Sequence, residues 1–408
     1  MAAAGGAVVV AIAVGATVYT VTSDEAPPLN VDFVLGGGDN AHGSGNDLRI
    51  QGNFRGLAVS NDDTVHLFTE EDDKSDNGMA MWRKKKSGAA ERVAITGMSG
   101  VHADQAAVAP DGSVYLAGGG EGLWKVGQDG RAANVVAAGN CLKPNAAVTP
   151  VDTFCANRVS GVTVAEDGTV YFADGRDGTR PHSSYVHRLD GESIRLVAGR
   201  PPKAHESTEA KNPAVRNGFD PKPGTKATDV LVPDTENSGS LAATKKGIYW
   251  KTGPGIVRIN KDDTLSPLVA ARKPSDIDEA QAPFSAVGHA LDAAIPNQVL
   301  DSPGGLSALQ GGRDVYYADM GEKTTPSLDG DFRWGGVTSA SQKRLLDSAE
   351  PGGMVHRVAE GELAPVIAGV QALATSEGNL YVAVKTDGAD RTGPKDWDTA
   401  VVKVRLRE

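Results

Sequence analysis

The side chains of this chain that could do chemistry are scattered. Asp104, Asp234 and Asp301 offer carboxylate oxygens, the ligands that a hard divalent cation takes. His187 and His356 stand in the matching stretches YVHRLD and MVHRVAE, and His182 lies in the polar run DGTRPHSS. Imidazoles can ligate metal or move protons, but a ligand set has to converge. Cys141 and Cys155 could remain separate thiols or close a disulfide; two cysteines alone lack the ligand count of a zinc site. Phe332, Arg333 and Trp334 adjoin in SLDGDFRWGG, an aromatic and guanidinium patch of the kind enriched at binding hot spots. The same three residues could equally anchor a loop. The chain has no G-x-S-x-G elbow, no H-E-x-x-H, no Walker loop and no EF-hand loop. GGGDNAHGSGN at Gly36 lacks the lysine of a phosphate-binding loop.

A repeat must position these groups. Six short strands share one pattern: VHLF at Val65, VYLA at Val114, VYFA at Val170, IYWK at Ile248, VYYA at Val315 and LYVA at Leu380. Each alternates with a period of two, so one face points inward. Most follow a short polar turn, such as NDDT, PDGS, EDGT or SEGN. Asp-Gly and Gly-Asn pairs supply the positive φ that tight hairpins need. A strand of small residues precedes each turn, as in GLAVS at Gly56, AAVAP at Ala106 and GVTVAE at Gly161. A third strand follows, as in GLWKVG and YVHRLD, and then a fourth, as in ANVVAAG and IRLVAG.

This four-stranded antiparallel meander is written six times, and such sheets repeated radially make a β-propeller. The sixth copy stops at AVVKVRLRE with no fourth strand, while NVDFVLGGG at Asn30 matches the fourth strand SIRLVAG. The first and last segments are therefore expected to share one blade, which removes two open sheet edges. The expected fold is all-β: a six-bladed propeller over residues 30–408, preceded by a hydrophobic segment and linker in residues 1–29. Tyrosines of the second strands are expected to pack between blades. Asp174 and Asp319, which end second strands, are expected to accept backbone N–H bonds in the following turn. His187 and His356 are expected to pack at their shared repeat position.

The succession of small-residue strand, Asp-Gly turn, VYFAD, YVHRLD and LVAG resembles the NHL-repeat propellers. The resemblance covers about residues 30–408 and is best in the second, third and fifth repeats. It implies a sensor or scaffold domain; some bacterial propellers of this type form the outer sensor of membrane Ser/Thr kinases. Similar six-bladed propellers include sugar lactonases and lyases that hold a divalent cation in the central channel through acidic and amide ligands. On that implication Asp104, Asp234 and Asp301, just ahead of inner strands, are the metal candidates. The inner strands themselves offer mostly Ala, Val, Leu, Ser and Thr, which counts against a metal. No cofactor is expected, a divalent cation being the one exception the chain leaves open.

Propeller topology assigns loops to faces. First-to-second and third-to-fourth turns share one face, here called the short-turn face. Second-to-third links and blade-to-blade links share the other. Nearly every insertion falls on that second, long-loop face: residues 140–158, 200–239, 272–303, 320–353 and 386–399. Long loops that converge on one face are often used for binding. The candidate contacts there are Asp174, Arg176, His182, Asp319, Phe332, Arg333 and Trp334.

The chain has 408 residues, a formal charge of −11 and 5% aromatic residues. Such acidity argues against a general nucleic-acid binder, which would show a basic face. The one basic cluster, WRKKK at Trp82, adjoins the acidic run EEDDKSD and suits a solvated strand edge or turn. Residues 2–21 carry no charge and are just long enough to span a membrane. No Lys or Arg precedes them, so a signal-peptide n-region is missing; either the start is misplaced or a cytoplasmic part has been cut off. The expected location is the cell membrane, single-pass with the propeller outside, or secretion. Export makes a Cys141–Cys155 disulfide the expected state of the two thiols.

The expected function is a membrane-tethered sensor or scaffold module that binds a protein, a peptide or a small envelope-derived ligand through its long-loop face. Two alternatives stay open: a metal-dependent lactonase- or lyase-like enzyme, and a structural protein of the cell envelope. No catalytic residue is assigned.

Overall fold

The computed structural model describes residues 29–41, 43–70, 78–98, 101, 103–139, 146–175, 183–203, 221–232, 239–252, 255–269, 288–289, 306–308, 314–319, 334–335, 339–347, 353–359, 362–376, 378–385 and 398–405. Six separate sheets are arranged as the blades of a propeller. Blade 1 runs Asn53–Val59, Val65–Glu70, Met79–Lys84 and Ala90–Ala94. Blade 2 runs Gln105–Val108, Val114–Ala117, Leu123–Val126 and Ala132–Val136. Blades 3, 4 and 5 begin with the inner strands Arg158–Val164, Leu241–Thr244 and Leu306–Ala308. Blade 6 is Ala372–Ser376, Asn379–Lys385 and Thr399–Arg405, completed by Leu29–Leu35 from the other end of the chain. That strand pairs antiparallel with the last one, Val31 opposite Val404 and Phe33 opposite Val402. The expected shared blade is thus present, and the six inner strands contact one another in cyclic order.

The core lies between blades. Six apolar clusters occupy the six blade interfaces, for example Ala58, Phe68, Met81 and Leu116 between blades 1 and 2. Leu57, Leu67, Tyr381 and Val401 join blades 6 and 1. In five blades a second-strand tyrosine packs at such an interface, directly opposite a cation of the third strand. The pairs are Tyr115–Lys125, Tyr171–Arg188, Tyr249–Arg258, Tyr316–Arg357 and Tyr381–Lys403. Cross-strand pairs of this kind place an aromatic face beside an aliphatic stem and its charge. Blade 1 alone differs, setting His66 opposite Arg83.

The turns follow their sequences. In PDGS and EDGT, Gly112 and Gly168 take φ of 76° and 86°, while Asp111 and Asp167 accept the N–H of Ser113 and Thr169. NDDT places Asp63, not glycine, at a φ of 63°. Its buried carboxylate then serves the closing seam. It accepts from Ser376 of blade 6 and lies 3.2 Å from Lys86 and 3.9 Å from Lys403.

The insertions do more than decorate one face. Short stretches within them run along the outer edges as fifth strands. Val148–Pro150 pairs with Ser193–Ala198, Thr225–Lys226 with Thr264–Val269, and Gly288–His289 with Glu362–Val370. Trp334–Gly335 runs parallel to Leu29–Leu35 on the closing blade. A helix, Ala340–Asp347, inserts Leu345 and Leu346 into the cluster between blades 5 and 6.

Candidate functional site: the axial cavity

A cavity of about 1240 Å³ opens on the short-turn face and runs down the axis. The ends of the inner strands wall it, with Val59, Val108, Val164, Ala243 and Thr375 contributed by five different blades. Its rim is made of first-to-second turns, so Asp62, Asp111 and Asp167 stand around the mouth. Their carboxylates are held below the usual range, first by the neighbouring hydroxyl of Ser60 and Ser113 for Asp62 and Asp111, and first by the Thr169 backbone for Asp167. Asp111 falls to about 2.

Gln105 forms the floor. Its carboxamide leaves blade 2 and bridges two others: Nε2 donates to Leu241 O at 2.8 Å, and Oε1 accepts Leu241 N at 2.9 Å and Val162 N at 3.1 Å. Gly161 permits this close approach, since a Cβ there would meet Gly239 O at 1.8 Å and Gln105 Oε1 at 3.1 Å. One step further, Thr163 Oγ1 accepts Ala243 N at 2.9 Å. Backbone groups of blades 3 and 4 are thereby satisfied by side chains of blades 2 and 3.

The cavity reaches into the crevice between blades 1 and 2, where His66 and Arg83 line it. His66 is 3% exposed, and its Nδ1 makes no hydrogen bond among the described residues. Burial, and then the charge of Arg83, lower the imidazole to about 4. Arg83 binds Glu91 Oε2 at 2.7 Å through Nη2 and the Gln128 carbonyl at 3.4 Å through Nη1, and its Nε is buried without a partner. Lys85 follows at the rim.

Towards the opposite, long-loop end, blades 2 and 3 are tied together. Gly119 and Val159 exchange two backbone hydrogen bonds, N to O at 2.9 and 3.0 Å. Asp104 meets Arg158 Nη2 at 3.2 Å. Burial raises Asp104, against the pull of Arg158. A guanidinium therefore stands where a metal would stand beside that carboxylate. Among the described residues no group of three His, Cys, Asp or Glu could hold a metal ion. Asp234 and Asp301 lie outside the described residues.

Asp174 is 2% exposed and accepts backbone N–H bonds from Asn157 at 2.8 Å and Arg158 at 3.2 Å; the turn that follows it, the expected source of its donors, lies outside the described residues. The carboxylate thus fixes the start of the inner strand of its own blade, which sheet pairing brings alongside. His187 lies beside it, Nε2 3.9 Å from Asp174 Oδ2, enclosed by Phe154, Phe172 and Tyr185. Burial lowers His187 to about 3. His356 stacks on Tyr317 at 5.1 Å. The two histidines pack within different blades and do not converge. Asp319 ends its strand and Trp334 lies on the edge strand, but their side chains, like Arg176, His182, Phe332 and Arg333, lie outside the described residues. Among the described residues no free cysteine is found; Cys141, the expected partner of Cys155, lies outside them.

The parts that define this molecule are six radial blades, a shared closing blade and an axial hollow: a six-bladed β-propeller. No family model matches the chain, and no curated protein matches it. Solved structures do. A structural-genomics protein of unknown function from Bacteroides thetaiotaomicron is 12% identical, with 91% of this chain and 76% of that chain covered and a TM-score of 0.47. A catalytically inactive virginiamycin B lyase from Staphylococcus aureus, solved with quinupristin, is 9% identical over 88% of this chain and 96% of its own, TM-score 0.40. A gluconolactonase from Xanthomonas campestris is 11% identical over 93% and 96%, TM-score 0.42. At these identities the likeness is one of fold, and no ligand or reaction is carried over.

Proposed function

We propose that this chain is a binding propeller that takes a ligand in the axial cavity of its short-turn face. One observation carries the reading: a hollow of about 1240 Å³, walled by the inner strands and floored by the Gln105 bridge. Clefts of this order bury small ligands, and a few convergent polar groups orient them. A membrane-tethered, extracytoplasmic setting belongs to the same proposal, supported by the uncharged run of residues 2–21. A Cys141–Cys155 disulfide follows from that setting, and mass mapping of the unreduced protein would find the two linked; alkylatable thiols in exported protein would refute it. The repeat is compatible with the NHL type, whose sensor and scaffold roles suit a binding module.

Thr375, half-buried, lines the cavity and gives the test. Thr375→Trp fills the hollow. A panel of small polar compounds that raises the melting temperature of the wild type should leave the variant unmoved. Equal stabilisation of both proteins would place the ligand elsewhere, first of all on the long-loop face, where protein or peptide binding is the second reading. That face is favoured by the concentration of insertions, one of which docks the helix Ala340–Asp347 onto the ring.

A further inference from the structure

We infer that the ligand of the axial cavity is anionic, and that one of its oxyanion groups seats between His66 and Arg83 in the crevice of blades 1 and 2. This rests on the reading of the cavity as the binding site and names the chemistry that it selects.

Three observations converge. The first is a break in the repeat. Five blades set tyrosine opposite a cation, and blade 1 sets His66 opposite Arg83. The Tyr171–Arg188 pair of blade 3 lines the same cavity, so what sets blade 1 apart is an imidazole, with its ring nitrogens, in place of a phenol. The second is unmet hydrogen bonding. His66 Nδ1 and Arg83 Nε have no partner among the described residues, and they belong to directly paired residues of one sheet. Buried polar groups without partners are costly in a native protein and call for an explanation. An oxygen that accepts from the Arg83 Nε–H and from the imidazole would satisfy both. Glu91 and Gln128 engage one N–H on each terminal nitrogen of Arg83, which holds the guanidinium in place, and Nε is the nitrogen without a partner.

The third observation is charge. The chain carries −11, yet its cavity is lined by seven Lys and Arg side chains against five Asp and Glu. Asp62, Asp111 and Asp167 cap their own turns, and among the cations Arg83 pairs with Glu91, Arg188 and Arg195 with Asp190, and Lys245 with Glu166. A concave, low-dielectric wall focuses the field of Lys85, Lys226 and Lys261 onto whatever enters. Lys85 at the rim places a further cation above the pair. Carboxylates and phosphates share the required chemistry.

Calorimetric titration of the full chain with inorganic phosphate, with succinate and with neutral glycerol tests this. Phosphate or succinate should bind and glycerol should not, and the tighter of the two anions identifies the source of the oxyanion. His66→Tyr restores the residue that the other blades carry, and it should weaken anion binding at least tenfold without lowering thermal stability. Arg83→Gln should weaken it similarly. In the wild type, anion addition should also shift the imidazole resonances of His66, a readout that needs no variant. Unchanged affinity in His66→Tyr, or no binding of either anion, overturns the inference. Thr375→Trp separates the two readings: anion binding that survives it sinks the cavity as the site, whereas binding lost in Thr375→Trp but kept in His66→Tyr sinks only the subsite.

Discussion

The two ends of the axis differ. At the short-turn end the inner strands part around a hollow, and the turns above it are capped by their own aspartates. At the long-loop end, blades 2, 3 and 4 are tied to one another by Gln105, by the Gly119–Val159 pair and by the Asp104–Arg158 ion pair. Insertions at the long-loop end are spent partly on fifth strands along the outer edges.

Removing the floor should have the largest effect. Gln105→Ala would leave Leu241 N, Leu241 O and Val162 N without their partner. Each unmet buried group costs about 1–3 kcal/mol, so a loss of about 3–5 kcal/mol is expected in urea unfolding. Gln105→Glu keeps the acceptor and loses the donor to Leu241 O, and about half that loss should follow. A change below about 1 kcal/mol for Gln105→Ala would mean that this bridge does not hold the blades together.

Two of the buried histidines, His66 towards the short-turn end and His187 towards the long-loop end, are held below the usual imidazole range, and pH distinguishes them. His66 at the open end falls to about 4, lowered by burial and by Arg83 and raised by Asp62. His187 at the long-loop end falls to about 3, lowered by burial. Both folded values lie below the unfolded value of about 6.5. Their contribution is therefore intact above about pH 6.5 and is lost as pH falls, because the unfolded chain binds the protons first. Two such groups give a slope of up to about 2.7 kcal/mol per pH unit between about pH 6 and 4. Denaturation measured across that window should show it, and His66→Tyr and His187→Phe should each remove about half. A slope unaltered by either variant would show that these imidazoles are not held neutral.

Much of this plan was legible in the chain. Alternating strands and Asp-Gly turns specify the blades, and the unmatched fourth strand at Asn30 specifies the closure, because pairing period and edge avoidance are local properties. Repetition also marks the exception: VHLF is the one second strand with histidine where five have tyrosine. Gln105 carries no such signal. QAAV is an ordinary strand opening, and its role exists only once blades 3 and 4 are beside it. Arg83 suits a solvated turn in WRKKK until Glu91 and Gln128 orient it toward the cavity. The acceptor role of Asp174 was visible, but not its donors, since Asn157 and Arg158 come to it through sheet pairing. Fifth strands of two or three residues are too short for a period to reveal.

The smallest effect should come from the ion pair at the long-loop end, and it bears most directly on the enzyme alternative. Asp104 and Arg158 meet at 3.2 Å with side chains 18% and 35% exposed. A partly solvated pair contributes about 1 kcal/mol or less, so Asp104→Asn should shift unfolding only slightly. If Asp104 instead served a divalent cation, calcium titrated into the full chain would bind with defined stoichiometry and the variant would lose it. With Arg158 in place the neighbouring charge already satisfies the carboxylate, and a cation would have to displace a guanidinium held 3.2 Å away. The expected result is the same calorimetric response to calcium in both proteins. A response that disappears in Asp104→Asn would make the long-loop end a metal site, and would reverse the assignment of binding to the short-turn end.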